Sequence, residues 1–151
     1  MALTIGDKAP DFKSKDDKGN TISLSQFLGK KIVLYFYPKD NTPGCTEQAC
    51  NLRDNYESLL ANGYVVLGVS IDDEKSHTKF INKFNLPFPL IADTEKEIVN
   101  LYGVWAEKSM YGKTYMGIVR TTFIIDENGV IIEVIAKVKT KEHYNQIINK
   151  L

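Results

Sequence analysis

Apolar residues are distributed in two ways along this chain: uninterrupted runs and helically spaced stretches. Residues 32–37 (IVLYFY) and 64–71 (YVVLGVSI) are β-branched and aromatic runs with no polar alternation. A strand of that kind is covered on both faces, as in the centre of a parallel sheet. The first run is closed by Pro38 and the second opens after Asn62-Gly63. Between them, Ala49, Leu52, Tyr56, Leu59 and Leu60 recur at i, i+3, i+7, i+10 and i+11. That spacing predicts a helix with one buried face, stopped at Asn62-Gly63. Strand, helix and strand within about 40 residues make a βαβ unit.

The pattern continues in the same manner. Asp73 is a suitable cap for a helix that carries His77, Phe80, Ile81 and Phe84 on one face. A short strand at Pro89–Ala92 and a short helix from Asp93 to Tyr102 follow. Thr122–Ile125 and Val130–Ile135 flank Asp126-Glu127-Asn128-Gly129, and Asn-Gly in that setting signals a hairpin. The last helix starts at Lys141, with Thr140 as its cap and Tyr144, Ile147, Ile148 and Leu151 on one face. Residues 106–117 read as a long loop. The order predicts an α/β fold with a mixed central sheet flanked by helices on both faces.

Composition narrows the function classes. The chain has 151 residues, the length of one domain, expected here to span 1–151. Its 19 basic and 19 acidic side chains balance, which leaves no electrostatic footprint for nucleic acid or an anionic membrane. The start, MALTIGDKAPDF, has no basic segment followed by an apolar one. The longest apolar runs have six residues, far short of the roughly 20 needed to span a bilayer. A cytoplasmic protein is expected, in a compartment where thiols stay reduced.

Two cysteines, Cys45 and Cys50, are too few for a disulfide scaffold or a four-cysteine zinc site. No histidine cluster accompanies them, since His77 and His143 lie far off in the chain, so no metal site is expected. Cys45 falls where the first strand gives way to the first long helix. Ligands of open α/β sheets bind at such strand ends. The unpaired N–H groups and the positive dipole end of a helix start favour a thiolate, the nucleophilic form. The same residue is equally readable as a small apolar side chain, four residues before Ala49 on the buried face. Cys50 follows at i+5. In a regular helix that spacing separates the Cα atoms by about 8.7 Å, beyond the roughly 4.4–6.8 Å that a disulfide spans. A bond between them therefore requires the helix start to unwind; an unbonded, half-exposed Cys50 is the other reading.

Pro38, Thr42 and Cys45 follow the Pro-x-x-x-Thr-x-x-Cys spacing, and the string YPKDNTPGCT…AC resembles the peroxiredoxin Q (bacterioferritin-comigratory) subfamily of the peroxiredoxins. The resemblance covers nearly the whole chain through GDKAPDF, SHTKF at 76–80, YGVW at 102–105 and KSMYGKTYMGIVR-TTFIID at 108–126. Ala106 stands where glycine is common, and the C-terminal segment is less similar. The resemblance implies a thioredoxin-like fold and a cofactor-free, metal-free peroxidase acting on hydrogen peroxide and organic hydroperoxides. It implies Cys45 as peroxidatic cysteine, Cys50 as resolving cysteine, Thr42 as hydroxyl partner, Pro38 as shield and Arg120 as active-site arginine. It also implies a monomer recycled by a thioredoxin-type dithiol. Taken singly, Arg120 reads as a surface cation, Thr42 as a turn residue and Pro38 as the end of a strand. Trp105 and Tyr111–Tyr115 either line the substrate approach or pack in core and loop. A general thiol–disulfide oxidoreductase and a redox-sensing or holdase-like interaction module are the competing functions. Thr42 and Arg120 speak against the interaction module, since only peroxide chemistry requires them, and the oxidoreductase predicts turnover without peroxide.

Overall fold

The run IVLYFY lies at the middle of a five-stranded sheet, where its lack of polar positions puts it. The computed structural model describes residues 3–149. In chain order its strands are β1 (Lys13–Lys15), β2 (Thr21–Ser23), β3 (Lys31–Phe36), β4 (Tyr64–Ser70), β5 (Leu90–Ala92), β6 (Trp105–Met110), β7 (Lys113–Ile118), β8 (Thr121–Ile125) and β9 (Ile131–Ile135). Its helices are α1 (Pro43–Asp54), α2 (Tyr56–Ala61), α3 (Glu74–Phe84), α4 (Glu97–Leu101) and α5 (His143–Asn149). The central sheet runs β5-β4-β3-β8-β9. β3 is parallel to β4 and β4 to β5, whereas β3–β8 and β8–β9 are antiparallel. The sheet is mixed, as expected.

Alternate residues of β3 serve two cores. Ile32, Leu34 and Phe36 pack with Ile98, Val99 and Tyr102 of the α4 segment and with Ala9, Phe12 and Leu24 before β3. Val33 and Tyr35 pack with Ala49 and Leu52 of α1, Leu59 of α2, Phe80 of α3 and Ile147 of α5. Helices therefore cover both faces, four on one side and α4 on the other.

Several local expectations change. The first long helix is two: Asn55 leaves the helical region at φ −113°, ψ 14°, and its side-chain Nδ2 donates to the Asn51 carbonyl at 2.8 Å. Asparagine competes for backbone groups in this way inside helices. The break turns Leu60 outward, to 47% exposure. Residues 106–117 are not a loop but most of an antiparallel ribbon, β6–β7, paired from Trp105↔Ile118 to Met110↔Lys113. Tyr111 (φ 53°) and Gly112 (φ 77°) form its two-residue turn, the positive-φ geometry that matches strand twist. Most ribbon side chains are exposed, so no apolar alternation marks it. β1 and β2, three residues each, carry too short a pattern to read. α4 begins at Glu97, while Asp93 accepts from the Val99 N–H at 2.9 Å. α5 begins at His143, two residues later than Lys141, and Leu151 falls outside the described residues. Asp73 caps α3 as expected, accepting from the Ser76 N–H at 2.8 Å. Among the described residues no helix is long and apolar enough to cross a membrane.

Candidate active site

The carboxyl end of β3 delivers the chain to α1 through residues 38–42. The Tyr37 N–H still pairs with the Val69 carbonyl at 3.1 Å. Pro38 is half-buried just after it. Asp40 then ties the loop down. Its own N–H donates to Asp72 Oδ2 at 2.8 Å. Its buried carboxylate accepts from Tyr37 Oη at 2.6 Å, Ser76 Oγ at 2.8 Å and His77 Nδ1 at 2.7 Å. His77 Nε2 lies 2.9 Å from the Ile91 carbonyl, which can only accept, so Nε2 carries a proton while Nδ1 faces the Asp40 carboxylate. Burial works against a charged imidazole, but the hydrogen bond and charge of Asp40 outweigh it, and the His77 pKa is raised above 6.5. Asp40, Asp72 and His77 cluster closely, and their hydrogen bonds to one another and to neighbouring groups hold the cluster closed. The sequence showed His77 only as a point on a helix face.

Thr42 (φ −93°, ψ 156°) is the residue before α1, and Pro43 opens the helix. Proline suits that position because its missing N–H would have no helical partner. The Thr42 hydroxyl donates to the Lys39 carbonyl at 2.8 Å; its lone pairs remain. Cys45 is the third residue of α1 and 1% exposed, with free N–H groups of the first turn around it. It packs with Tyr35, Tyr37 and Ala49, as the reading of a small apolar side chain expects, and it also meets a cation. Arg120, between β7 and β8, directs Nη2 to Cys45 Sγ at 3.4 Å and Nη1 to Gln48 Oε1 at 2.6 Å. Gln48 is fully buried and one helical turn beyond Cys45.

Two neighbours were not anticipated. Gln48 stands at i+3 from Cys45, on the same helix face, so spacing alone could have found it. Gly44 has no comparable signal: a Cβ there would lie 3.2 Å from Arg120 Nη2, and the bare backbone lets the guanidinium close onto the sulfur. Behind the site, His143 is buried. Its Nδ1 faces Gln146 Oε1 at 2.9 Å and its Nε2 faces Thr122 Oγ1 at 2.8 Å. Burial, with a lesser effect of the Arg120 charge, lowers its pKa to about 4, so it is neutral.

Cys50 is half-buried in the same helix, and both thiols are free. The regular helix between them keeps the separation of about 8.7 Å deduced from helical geometry. Trp105 packs against the α4-side core with Lys96 Nζ 5.4 Å from its ring centroid. Tyr111, at the ribbon tip, is 96% exposed. The structure thus brings Cys45, Arg120 and Gln48 together, with Thr42 and Pro38 on the loop leading to them.

An α/β fold of this topology, with a buried cysteine at a helix start contacted by an arginine, is of the thioredoxin-like class. Residues 5–134 match the AhpC/TSA family. The chain belongs to that family and, within it, to the peroxiredoxin Q (Bcp) group of peroxidases. It is 48% identical to peroxiredoxin Bcp of Bacillus subtilis over 100% of this chain and 96% of that one. It is 44% identical to peroxiredoxin Bcp of Escherichia coli K12 over 99% and 96%. A cysteine-to-serine variant of Xylella fastidiosa peroxiredoxin Q superposes with a TM-score of 0.93, 32% identity and coverage of 99% and 96%. The Xanthomonas campestris bacterioferritin comigratory protein, studied for alkyl peroxide reduction through trapped-intermediate and ligand complexes, matches at TM-score 0.86, 33% identity and coverage of 91% and 88%.

Proposed function

We propose that this chain reduces hydrogen peroxide and organic hydroperoxides through Cys45 and recycles through a Cys45–Cys50 disulfide. The single observation that carries the reading is the 3.4 Å approach of Arg120 Nη2 to Cys45 Sγ at the start of α1. The Cys45 thiolate attacks the terminal oxygen of ROOH. An S–O bond forms, the O–O bond breaks, and RO⁻ leaves to be protonated as ROH. Arg120 and the free N–H groups of the first helical turn stabilise the charge that develops on the peroxide oxygens, already in place before the reaction. Thr42 takes the role of hydroxyl partner through its unused lone pairs, and Pro38 shields the sulfur from water. Cys45 is left as a sulfenic acid, oxidised by two electrons.

The start of α1 then unwinds and the Cys50 thiol attacks the sulfenic sulfur. The S–S bond forms, the S–O bond breaks, and hydroxide leaves as water. A thioredoxin-type dithiol returns both thiols by exchange. This cycle suits a monomer in a reducing compartment such as the cytoplasm. The test is rapid mixing of the reduced protein with hydrogen peroxide and with a bulky hydroperoxide. Cys45→Ser abolishes consumption of both, and unchanged consumption overturns the reading. Mass spectrometry after one equivalent of peroxide shows loss of two hydrogens in the native protein and a persistent sulfenic acid in Cys50→Ser. Turnover of protein disulfides without peroxide favours the oxidoreductase alternative.

A further inference from the structure

Asn51 immediately follows Cys50 and uses its side-chain amide at both ends. Nδ2 donates to the Lys141 carbonyl at 3.0 Å, and Oδ1 accepts from the Tyr144 N–H at 2.7 Å. The orientation is unambiguous, because a carbonyl only accepts and a backbone N–H only donates. Both partners lie 90 or more residues away, so these bonds hold α1 to a distant part of the chain. Tyr144 is the second residue of α5, where N–H groups have no partner within the helix. Asn51 therefore caps α5 from outside.

We propose that Asn51 is the positioning residue that pins α1 at the resolving cysteine and sets how fast the oxidised protein closes its disulfide. The inference rests on the Cys45–Cys50 cycle described above. For the bond to form, the two Cα atoms must move from about 8.7 Å to within roughly 6.8 Å of each other. The Cys50 backbone cannot travel without drawing on Asn51. The start of α5 is not free to follow. His143 is bonded to Thr122 of β8 at 2.8 Å, and Gln146 is bonded to the Lys137 carbonyl and the Lys139 N–H, each at 2.9 Å. Unwinding that extends through Cys50 breaks the two Asn51 bonds. They exist in the helical state and not in the unwound one, and only such a differential contact shifts the balance between two states.

Besides the apolar packing of Ile147 against Ala49 and Leu52, two other polar links among the described residues join α1 and α2 to the same region, and neither substitutes for Asn51. Glu47 and Lys141 approach at 3.8 Å, but Lys141 is largely exposed and such pairs contribute little. Ser58 Oγ meets Tyr144 Oη at 2.6 Å on α2, beyond the Asn55 break. The latch has a chemical consequence. While α1 stays wound, the Cys45 sulfenic acid waits for Cys50. A second hydroperoxide can then transfer its oxygen to that sulfur, leaving as ROH and giving the sulfinic acid.

The experiment compares the full chain with Asn51→Ala and Asn51→Asp by rapid mixing with peroxide, quenching and mass spectrometry. Sulfenic acid formation keeps its rate in both variants, since Asn51 does not touch Cys45. Disulfide formation accelerates about tenfold in Asn51→Ala, the effect of two hydrogen bonds of ordinary net strength. Asn51→Asp, which still accepts from Tyr144 but cannot donate to Lys141, falls between. At high peroxide the sulfinic fraction drops in the same order. In the reduced proteins, amide exchange at residues 46–51 quickens in Asn51→Ala relative to β3 and β4, which a general loss of stability does not produce. A disulfide rate within twofold of the parent, or unchanged exchange, overturns the latch and leaves the peroxidase cycle standing. Absence of any disulfide in the parent overturns the role of Cys50 and the latch with it.

Discussion

Arg120 is held by Gln48: its Nη1 donates to Gln48 Oε1 at 2.6 Å while its Nη2 reaches Cys45 Sγ at 3.4 Å. The guanidinium fork thus spans one turn of α1, one prong fixing the group and the other serving the sulfur. Lysine carries one compact ammonium and cannot do both. Arg120→Lys lowers the second-order rate with peroxide by about 10²-fold, the usual effect of losing a positioned donor. Gln48→Ala leaves the cation in place without its anchor and lowers the rate roughly tenfold, in line with one hydrogen bond to a charged group. Stopped-flow oxidation of Cys45 checks both, and equal losses in the two variants contradict the division of roles.

Gly44 separates stability from activity. A methyl group there meets Arg120 Nη2 at 3.2 Å, so the guanidinium has to shift away from the sulfur. Alanine is also the better helix former, by up to about 1 kcal/mol. Gly44→Ala therefore melts no lower than the parent but reacts with peroxide about tenfold more slowly, a difference of about 1.4 kcal/mol in the barrier. Thermal unfolding and rapid mixing on one preparation measure the two effects. A fully active variant shows that the approach of Arg120 tolerates a side chain at 44.

The two buried histidines give opposite pH limbs. His77, raised by Asp40 above 6.5, contributes stability that is complete below pH 6.5 and is lost as pH rises through its folded pKa. His143, lowered to about 4 from 6.5, contributes stability that is complete above pH 6.5 and is lost as pH falls through that window to about 4, on the order of 3 kcal/mol. Denaturant titrations across pH 4–9 in His143→Gln flatten the acid limb only. Asp40→Asn removes the alkaline limb and destabilises the protein by about 3 kcal/mol, since it takes away the charge that holds the His77 imidazolium and the carboxylate that accepts three buried hydrogen bonds. An acid limb that persists in His143→Gln assigns it to other groups.

Tyr111 sits at φ 53° with 96% of its surface exposed. A bulky residue in the left-handed region costs roughly 1–2 kcal/mol, much of which asparagine avoids. Tyr111→Asn stabilises the protein by about 0.5–1 kcal/mol and leaves peroxide reduction unchanged. A loss of activity instead gives the ribbon tip a part in substrate approach.

Much of the frame was legible because burial leaves a periodic trace. β3 and β4 are covered on both faces and read as solid apolar runs, and the buried face of α1 repeats at helical spacing. The ribbon β6–β7 was hidden for the converse reason. Its exposed side chains need no apolar alternation, and its turn is marked only by Tyr111-Gly112. The Asn55 break was hidden because the apolar repeat runs straight across it. At the site, Cys45 was legible from its place at a strand-to-helix junction and from the motif around it. Gln48 could have been found from its i+3 spacing.

The sequence alone determined which segments are buried, where strand gives way to helix, and that Cys45 and Cys50 are too far apart in an intact helix to bond. Those properties depend on local geometry and on the order of residues. Only the tertiary structure decided which distant groups serve them. Arg120 comes from the β7–β8 junction to the sulfur, Asp40 is locked by His77 of α3, and Asn51 is tied to α5. Each is a contact across dozens of residues, fixed by how the sheet stacks its helices. Spacing along the chain carries no record of such contacts, because side chains that meet through packing obey no common period.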